Sequence, residues 1–187
     1  MLPGPLVFDT QVLGRRPGTE KTYVKDIEAP ADLGHDVIGV PEGSSIDLEL
    51  RLEAVMDGVL ATGTASARTV GECVRCLKAL DEQIAVDFQE LYVYEPVATG
   101  EDADDEMALE DELLDLEPVL RDAVVLALPL NPVCDPDCPG LCPECGARLA
   151  DDPGHTHGEA IDPRWSALSH LKTQMNEPGH GPDSPKE

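Results

Sequence analysis

Aromatic side chains are scarce in this sequence: one Trp, three Tyr and two Phe make up 3% of 187 residues, so a core must be built mainly from Val, Leu, Ile and Ala. Basic side chains are scarce as well. Against 38 Asp and Glu stand 13 Lys and Arg, a formal net charge of -25 at pH 7. The densest basic grouping is the pair Arg15 and Arg16. A surface of that sign repels phosphate backbones, which argues against direct binding of naked nucleic acid and for a basic protein partner. No run reaches the roughly 18 apolar residues that span a bilayer. The N-terminus, MLPGPLVFDTQVLGRRPG, lacks the charged start and apolar stretch of a secretory signal. There is no P-loop, no G-x-S-x-G and no dinucleotide fingerprint, so no enzyme is expected. The expected setting is cytoplasmic, away from membranes, where thiols stay reduced and six cysteines read as ligands before disulfides.

What is present begins with an alternating segment. Ile46, Leu48, Leu50 and Leu52 interleave with Asp47, Glu49, Arg51 and Glu53, the period of a strand with one buried and one wet face. Asp57-Gly58 in MDGV then reads as a tight hairpin turn. The returning strand, VLATGTASARTV, leads straight to Cys73 and Cys76. A third segment, IAVDFQELYVY, places Ile84, Val86 and Phe88 on one face, which makes residues 44 to 94 an antiparallel meander. DVIGV suggests one further short strand.

Residues 101 to 112, EDADDEMALEDE, form an acidic block that reads as a solvated, disordered loop. Beyond it Leu116, Val119, Leu120, Ala123, Val124, Ala127 and Leu128 repeat as the stripe of an amphipathic helix packed on the sheet, with Pro118 near its start and Pro129 at its end. A shorter helix is expected from about Asp162 to Met175. The predicted fold is α+β: an antiparallel meander against an amphipathic helix, with a zinc-knuckle segment and a short C-terminal helix. The predicted divisions are a core over 1–130 with an acidic loop at 98–113, a Cys/His-rich segment over 131–175 and a disordered tail over 176–187.

Three cysteine pairs and one histidine pair carry the chemistry. Cys142 and Cys145 lie in CPECG, where Pro and Gly favour the turn that puts two thiolates on one metal. Cys73 and Cys76 in CVRCL form a second pair, Cys134 and Cys138 a third, and His155 with His157 supply two imidazoles. Eight candidate ligands divide into two closed tetrahedral sites, the arithmetic of structural zinc. The favoured partition joins Cys142, Cys145, His155 and His157, and separately Cys73, Cys76, Cys134 and Cys138. A single site of Cys134, Cys138, Cys142 and Cys145 stays open, so one or two zinc ions are expected. His-x-His on an extended segment points its side chains apart, so shared ligation requires a turn near Gly154 or Gly158. Glu144 and Glu159 are the nearby carboxylates that a catalytic zinc would use as base. His35 and His170 read as surface or locally bonded, and His180 as solvated in the tail. The competing reading is a cytoplasmic zinc/thiol redox sensor or regulator.

ECVRCLKAL after a hairpin, LEPVLRDAVVLALPLNPVC, DCPGLCPECGARL and DPRWSAL together resemble the YceD-like family, also called the large ribosomal RNA subunit accumulation protein family, over roughly residues 40 to 172. The resemblance implies a non-enzymatic factor supporting synthesis, processing or stability of large-subunit ribosomal RNA. Many relatives end the segment after the GLCPxCG motif in Cys-x-Cys. His155 and His157 stand at those positions here, which implies ligand roles for them. Other relatives lack several cysteines, which implies that metal stabilises the fold and does not execute the role. The acidic surface then suits a basic ribosomal protein or a large-subunit assembly intermediate as partner.

Overall fold

The computed structural model describes residues 4–95 and 107–157. These fall into two compact units, one ending at Gly140 and one beginning at Leu141. In chain order the elements of the first unit are β1 (Val7–Asp9), a 3-10 turn (Gln11–Leu13), β2 (Glu20–Glu28), β3 (Leu33–His35), β4 (Ile38–Val40), β5 (Ser45–Ala54), β6 (Gly58–Glu72), β7 (Ala79–Val93), β8 (Leu113–Asp115) and α1 (Glu117–Ala127).

β6 is the strand on which the sheet is built. It pairs antiparallel with β5 from Ala54↔Val59 to Ile46↔Ala67, and with β7 along its whole length, from Gly58↔Val93 to Glu72↔Ala79. β2 lies outside β5, and β4 joins β6 at Ile38↔Gly71, carrying β3 with it. β1 and β8 form a separate antiparallel pair. The alternation read from the sequence sets the faces. Ile46, Leu48, Leu50, Leu52, Val59, Ala61, Ala65, Val86 and Phe88 are buried in one core with Leu114, Leu120 and Val124, while Asp47, Glu49, Thr64, Asp87 and Gln89 are exposed on the other side.

The hairpin turn sits one residue earlier than Asp57-Gly58 predicts. The Val55 N–H donates to the Gly58 carbonyl at 2.9 Å, which leaves Met56 and Asp57 as the central residues, and neither has positive φ. Gly58 already belongs to β6. A Cβ there would stand 2.1 Å from the Tyr92 carbonyl oxygen, so the glycine serves close strand approach and not the turn.

The amphipathic stripe forms α1 as expected, burying Val119, Leu120 and Val124, with Pro118 in the first turn. The capping acceptor is Asp115, whose Oδ1 takes the Glu117 N–H at 3.0 Å. Arg121 donates to the Ala31 and Asp32 carbonyls, and His35 Nε2 donates to the Val125 carbonyl at 3.1 Å, so His35 is locally bonded. β1, β2, β3 and β8 are additions to the expected strands. In β2 only Ile27 is buried, so no alternation marks it.

Of the acidic block, residues 107–112 are described, and they are held. Val93 donates to the Met107 carbonyl, Leu109 donates to the Val93 carbonyl, and Arg15 Nε donates to the Glu112 carboxylate at 3.0 Å. Residues 98–106 of the predicted loop, the predicted helix near 162–175, the tail at 176–187, His170 and His180 lie outside the described residues. Among the described residues no helix is long and apolar enough to cross a membrane.

Candidate metal centres

The first unit gathers Cys73, Cys76, Cys134 and Cys138, with all four Sγ atoms within 4.8 Å of one another. Cys73 to Cys138 is 3.9 Å and Cys76 to Cys134 is 3.5 Å. Four thiolates about 2.3 Å from one tetrahedral zinc stand about 3.8 Å apart, whereas a disulfide needs about 2.05 Å. The spacing fits a shared cation and is too wide for a disulfide, and among the described residues, which include all six cysteines, no disulfide is present. Cys73, Cys76 and Cys138 are buried.

Local backbone geometry explains how the pairs are presented. After β6 ends, the Leu77 N–H donates to the Cys73 carbonyl and the Cys73 N–H to the Lys78 carbonyl. In the second unit the Gly146 N–H donates to the Cys142 carbonyl and the Cys142 N–H to the Ala147 carbonyl. The same knuckle is built twice, with a left-handed residue straight after the second cysteine: Leu77 at φ 57° and Gly146 at φ 73°. Glycine adopts that conformation freely and leucine does so under strain. The third pair is carried past α1. The Val74 N–H donates to the Pro132 carbonyl, and Arg75 reaches the Pro136 and Cys138 carbonyls at 3.0 and 3.2 Å. Arg75 was not singled out from the sequence, and its only signal is a long donor between two cysteines.

The thiols do not share one protonation state. Burial raises the Cys73 thiol, but the backbone N–H groups of Cys134, Cys76 and Arg75 outweigh it and bring its pKa down to about 6. Cys134 is pushed up to about 12 by the Cys76 side chain and by burial. Cys138 is also raised: the Gly140 N–H pulls it down, but burial and Cys76 prevail.

The second unit gathers Cys142, Cys145, His155 and His157, again with ligand atoms within 4.8 Å. Cys145 Sγ lies 3.2 Å from His155 Nε2 and 3.3 Å from His157 Nε2, and the two Nε2 atoms are 2.8 Å apart. The required turn is present: the His155 N–H donates to the Asp152 carbonyl at 3.0 Å across Pro153 and Gly154. Gly158 and Glu159 lie outside the described residues.

Behind the imidazoles stand carboxylates. Asp152 Oδ2 is 3.6 Å from His155 Nδ1, and Glu144 Oε2 is 3.5 Å from His157 Nδ1. Both carboxylates stand just beyond hydrogen-bond length, on the side where their charge favours a proton on Nδ1 and so a free Nε2 lone pair for a metal. Two such lone pairs at 2.8 Å repel unless a cation lies between them. Glu144, read from the sequence as a candidate base, therefore stands behind a histidine. Asp152 was not foreseen. The Cys142 thiol is lowered to about 6, chiefly by the backbone N–H groups of Cys145 and Glu144.

The eight predicted ligands are thus brought together in two groups of four, either of which could hold a metal ion. The family model described as large ribosomal RNA subunit accumulation protein YceD matches residues 61–172. An uncharacterised protein of Mycobacterium tuberculosis is 47% identical over 166 residues, covering 88% of this chain and 80% of that protein. One of Mycobacterium leprae is 42% identical over 174 residues, covering 91% of this chain and 79% of its own. The chloroplastic large ribosomal RNA subunit accumulation protein YCED homolog 1 of Arabidopsis thaliana is 27% identical over 172 residues, 74% of this chain and 51% of that protein. No solved structure matches. The family is named for accumulation of an RNA and not for a reaction, and this chain belongs to it: the YceD family of large ribosomal RNA subunit accumulation proteins.

Proposed function

We propose that the protein is a non-enzymatic, cytoplasmic ribosome-biogenesis factor that supports synthesis, processing or stability of large-subunit ribosomal RNA. Membership of the YceD family is the observation that carries this reading. The charge of -25 supports action through a basic ribosomal protein or a large-subunit assembly intermediate, with no direct grip on naked RNA.

Both ligand groups hold zinc in this proposal, each with four protein ligands and no open position, so the metal is structural. Zinc when bound supplies a fixed tetrahedral centre. Cys73 and Cys76 then fasten the end of β6 to Cys134 and Cys138 beyond α1. The zinc/thiol redox reading has less support, because three of the four thiols in the first group are buried away from oxidants.

The test is the ratio of large-subunit to small-subunit ribosomal RNA after depletion of the protein, at matched growth rate. Selective loss of the large-subunit RNA or its mature ends is expected, and an unchanged ratio overturns the reading.

A further inference from the structure

We infer that the outer edge of β7 is a docking site on which an extended, Lys- and Arg-rich protein segment adds as a new strand. The inference rests on the proposed basic partner and locates where on the fold it binds.

β7 runs for 15 residues, pairs with β6 on one side and, among the described residues, ends the sheet on the other. The direction of its backbone groups follows from its last residues. The Tyr94 N–H donates to Asp57 across the hairpin, while the Val93 N–H donates outward to Met107. In an antiparallel ladder the bonding direction alternates with each residue. Asp81, Gln83, Ala85, Asp87, Gln89 and Leu91 therefore turn their N–H and C=O groups away from β6. The Leu91 N–H meets the carboxylate of Glu90 at 3.2 Å. Among the described residues the other outward N–H groups meet no backbone acceptor. All six residues are exposed.

The edge is already used as a template at one end. Ala108 pairs with Val93 in a parallel bridge, with the Leu109 N–H on the Val93 carbonyl, and that short pairing leaves the edge from Asp81 to Leu91 without a strand among the described residues. Eleven extended residues span roughly 35 Å, enough for a strand of ordinary length or longer.

Charge selects the occupant. β7 contains Asp81, Glu82, Asp87 and Glu90 and no Lys or Arg. Asp81 is held by Arg68, whose Nε donates to it at 2.7 Å, which leaves Glu82, Asp87 and Glu90 to face a partner. The opposite edge strand, β2, carries Lys21 and Lys25, the type of residue that guards an edge against pairing. β2 also holds Glu20, Asp26 and Glu28, a net charge of -1 against -4 on β7, so an approaching basic segment is drawn more strongly to β7. Backbone bonds supply sequence-independent affinity, and acidic side chains on both faces of β7 supply the preference for Lys and Arg.

The test uses the full chain and a labelled dodecapeptide of alternating Lys and Val at physiological salt. Its control is a peptoid of equal charge, whose backbone carries no N–H. The peptide is expected to bind and to slow hydrogen exchange at the outward amides of Gln83, Ala85, Asp87 and Gln89, with the peptoid weaker by about tenfold or more. The variant Ala85→Pro removes an outward N–H while keeping the bonds to β6, so its dichroism is expected to match wild type and its peptide affinity to fall by about tenfold. Equal binding of peptide and peptoid, absence of peptide binding, or full binding by a folded Ala85→Pro overturns the inference. These outcomes are read on purified protein, so they stand apart from the RNA ratio that tests the proposed function.

Discussion

Cys73 and Cys138, 65 positions apart, bring their Sγ atoms to 3.9 Å. The contact ties the exit of β6 to the segment beyond α1, and the closed loop contains β7, β8 and the helix. Holding so long a loop with a metal removes much of the unfolded chain's freedom, which matters in a core with few aromatics. Cys138→Ser is expected to destabilise the first unit by about 3 kcal/mol or more, a fall in melting temperature near 10 °C. Cys145→Ser, in the other group, is expected to leave that transition within about 2 °C. Calorimetry of both variants, with zinc counted by native mass spectrometry, checks the pair. Two ions in wild type and one in each variant is the expected count.

Metal loading has a sign in pH. Near neutrality the Cys73 thiol, lowered to about 6, is already ionised, whereas Cys134, raised to about 12, and Cys138, also raised, carry protons. A metal takes thiolate, so binding at pH 7 must displace at least those two protons. Affinity of the first site is therefore expected to fall as pH falls, by at least about a hundredfold per unit near neutrality, and more steeply below pH 6, where Cys73 also holds its proton. Titration calorimetry in buffers of different ionisation enthalpy measures the release directly. Fewer than two protons per zinc would contradict it.

The two knuckles share one backbone pattern but not one residue at the left-handed position. Leu77 at φ 57° bears strain that Gly146 at φ 73° avoids. Leu77→Gly is expected to raise stability of the first unit by about 1 kcal/mol, or 2–4 °C in melting temperature. Gly146→Leu moves the second knuckle the other way and is expected to weaken its zinc several-fold. Paired melting curves and competition with a chromogenic chelator read both effects.

Much of this was legible before the fold was known, where a pattern is local. Alternation at Ile46 to Leu52 reports a half-buried strand, and the stripe from Leu116 to Leu128 reports a helix, because both periods arise from backbone geometry itself. Cysteine pairs announce a knuckle for the same reason. What escaped depends on the neighbour. β2 shows no alternation because Lys21, Tyr23 and Lys25 precede Ile27 on its inner side and only Ile27 is buried, and Gly58 resembles a turn residue although its place is fixed by the Tyr92 carbonyl across the sheet. Asp152 was hidden among abundant acids, since only the turn through Pro153 and Gly154 brings it behind His155.

The carboxylates behind the histidines give the remaining test. Asp152 faces His155 Nδ1 at 3.6 Å and Glu144 faces His157 Nδ1 at 3.5 Å, and closing either gap to a hydrogen bond on metal binding would favour the tautomer that frees Nε2. Asp152→Asn and Glu144→Gln keep size and remove charge, leaving the ligand atoms in place. Each is expected to weaken zinc at the second site by about 10- to 100-fold and to leave the first site unchanged. Because the wild-type protein carries both sites, the readout must separate them. Cobalt substitution in a Cys138→Ser background leaves the second site to report, and its absorption bands are expected to bleach at lower chelator concentration in the carboxylate variants. Unshifted bleaching in both variants would show that the carboxylates are surface charges standing near the imidazoles by chance. A shift in one variant alone would assign the positioning role to that carboxylate.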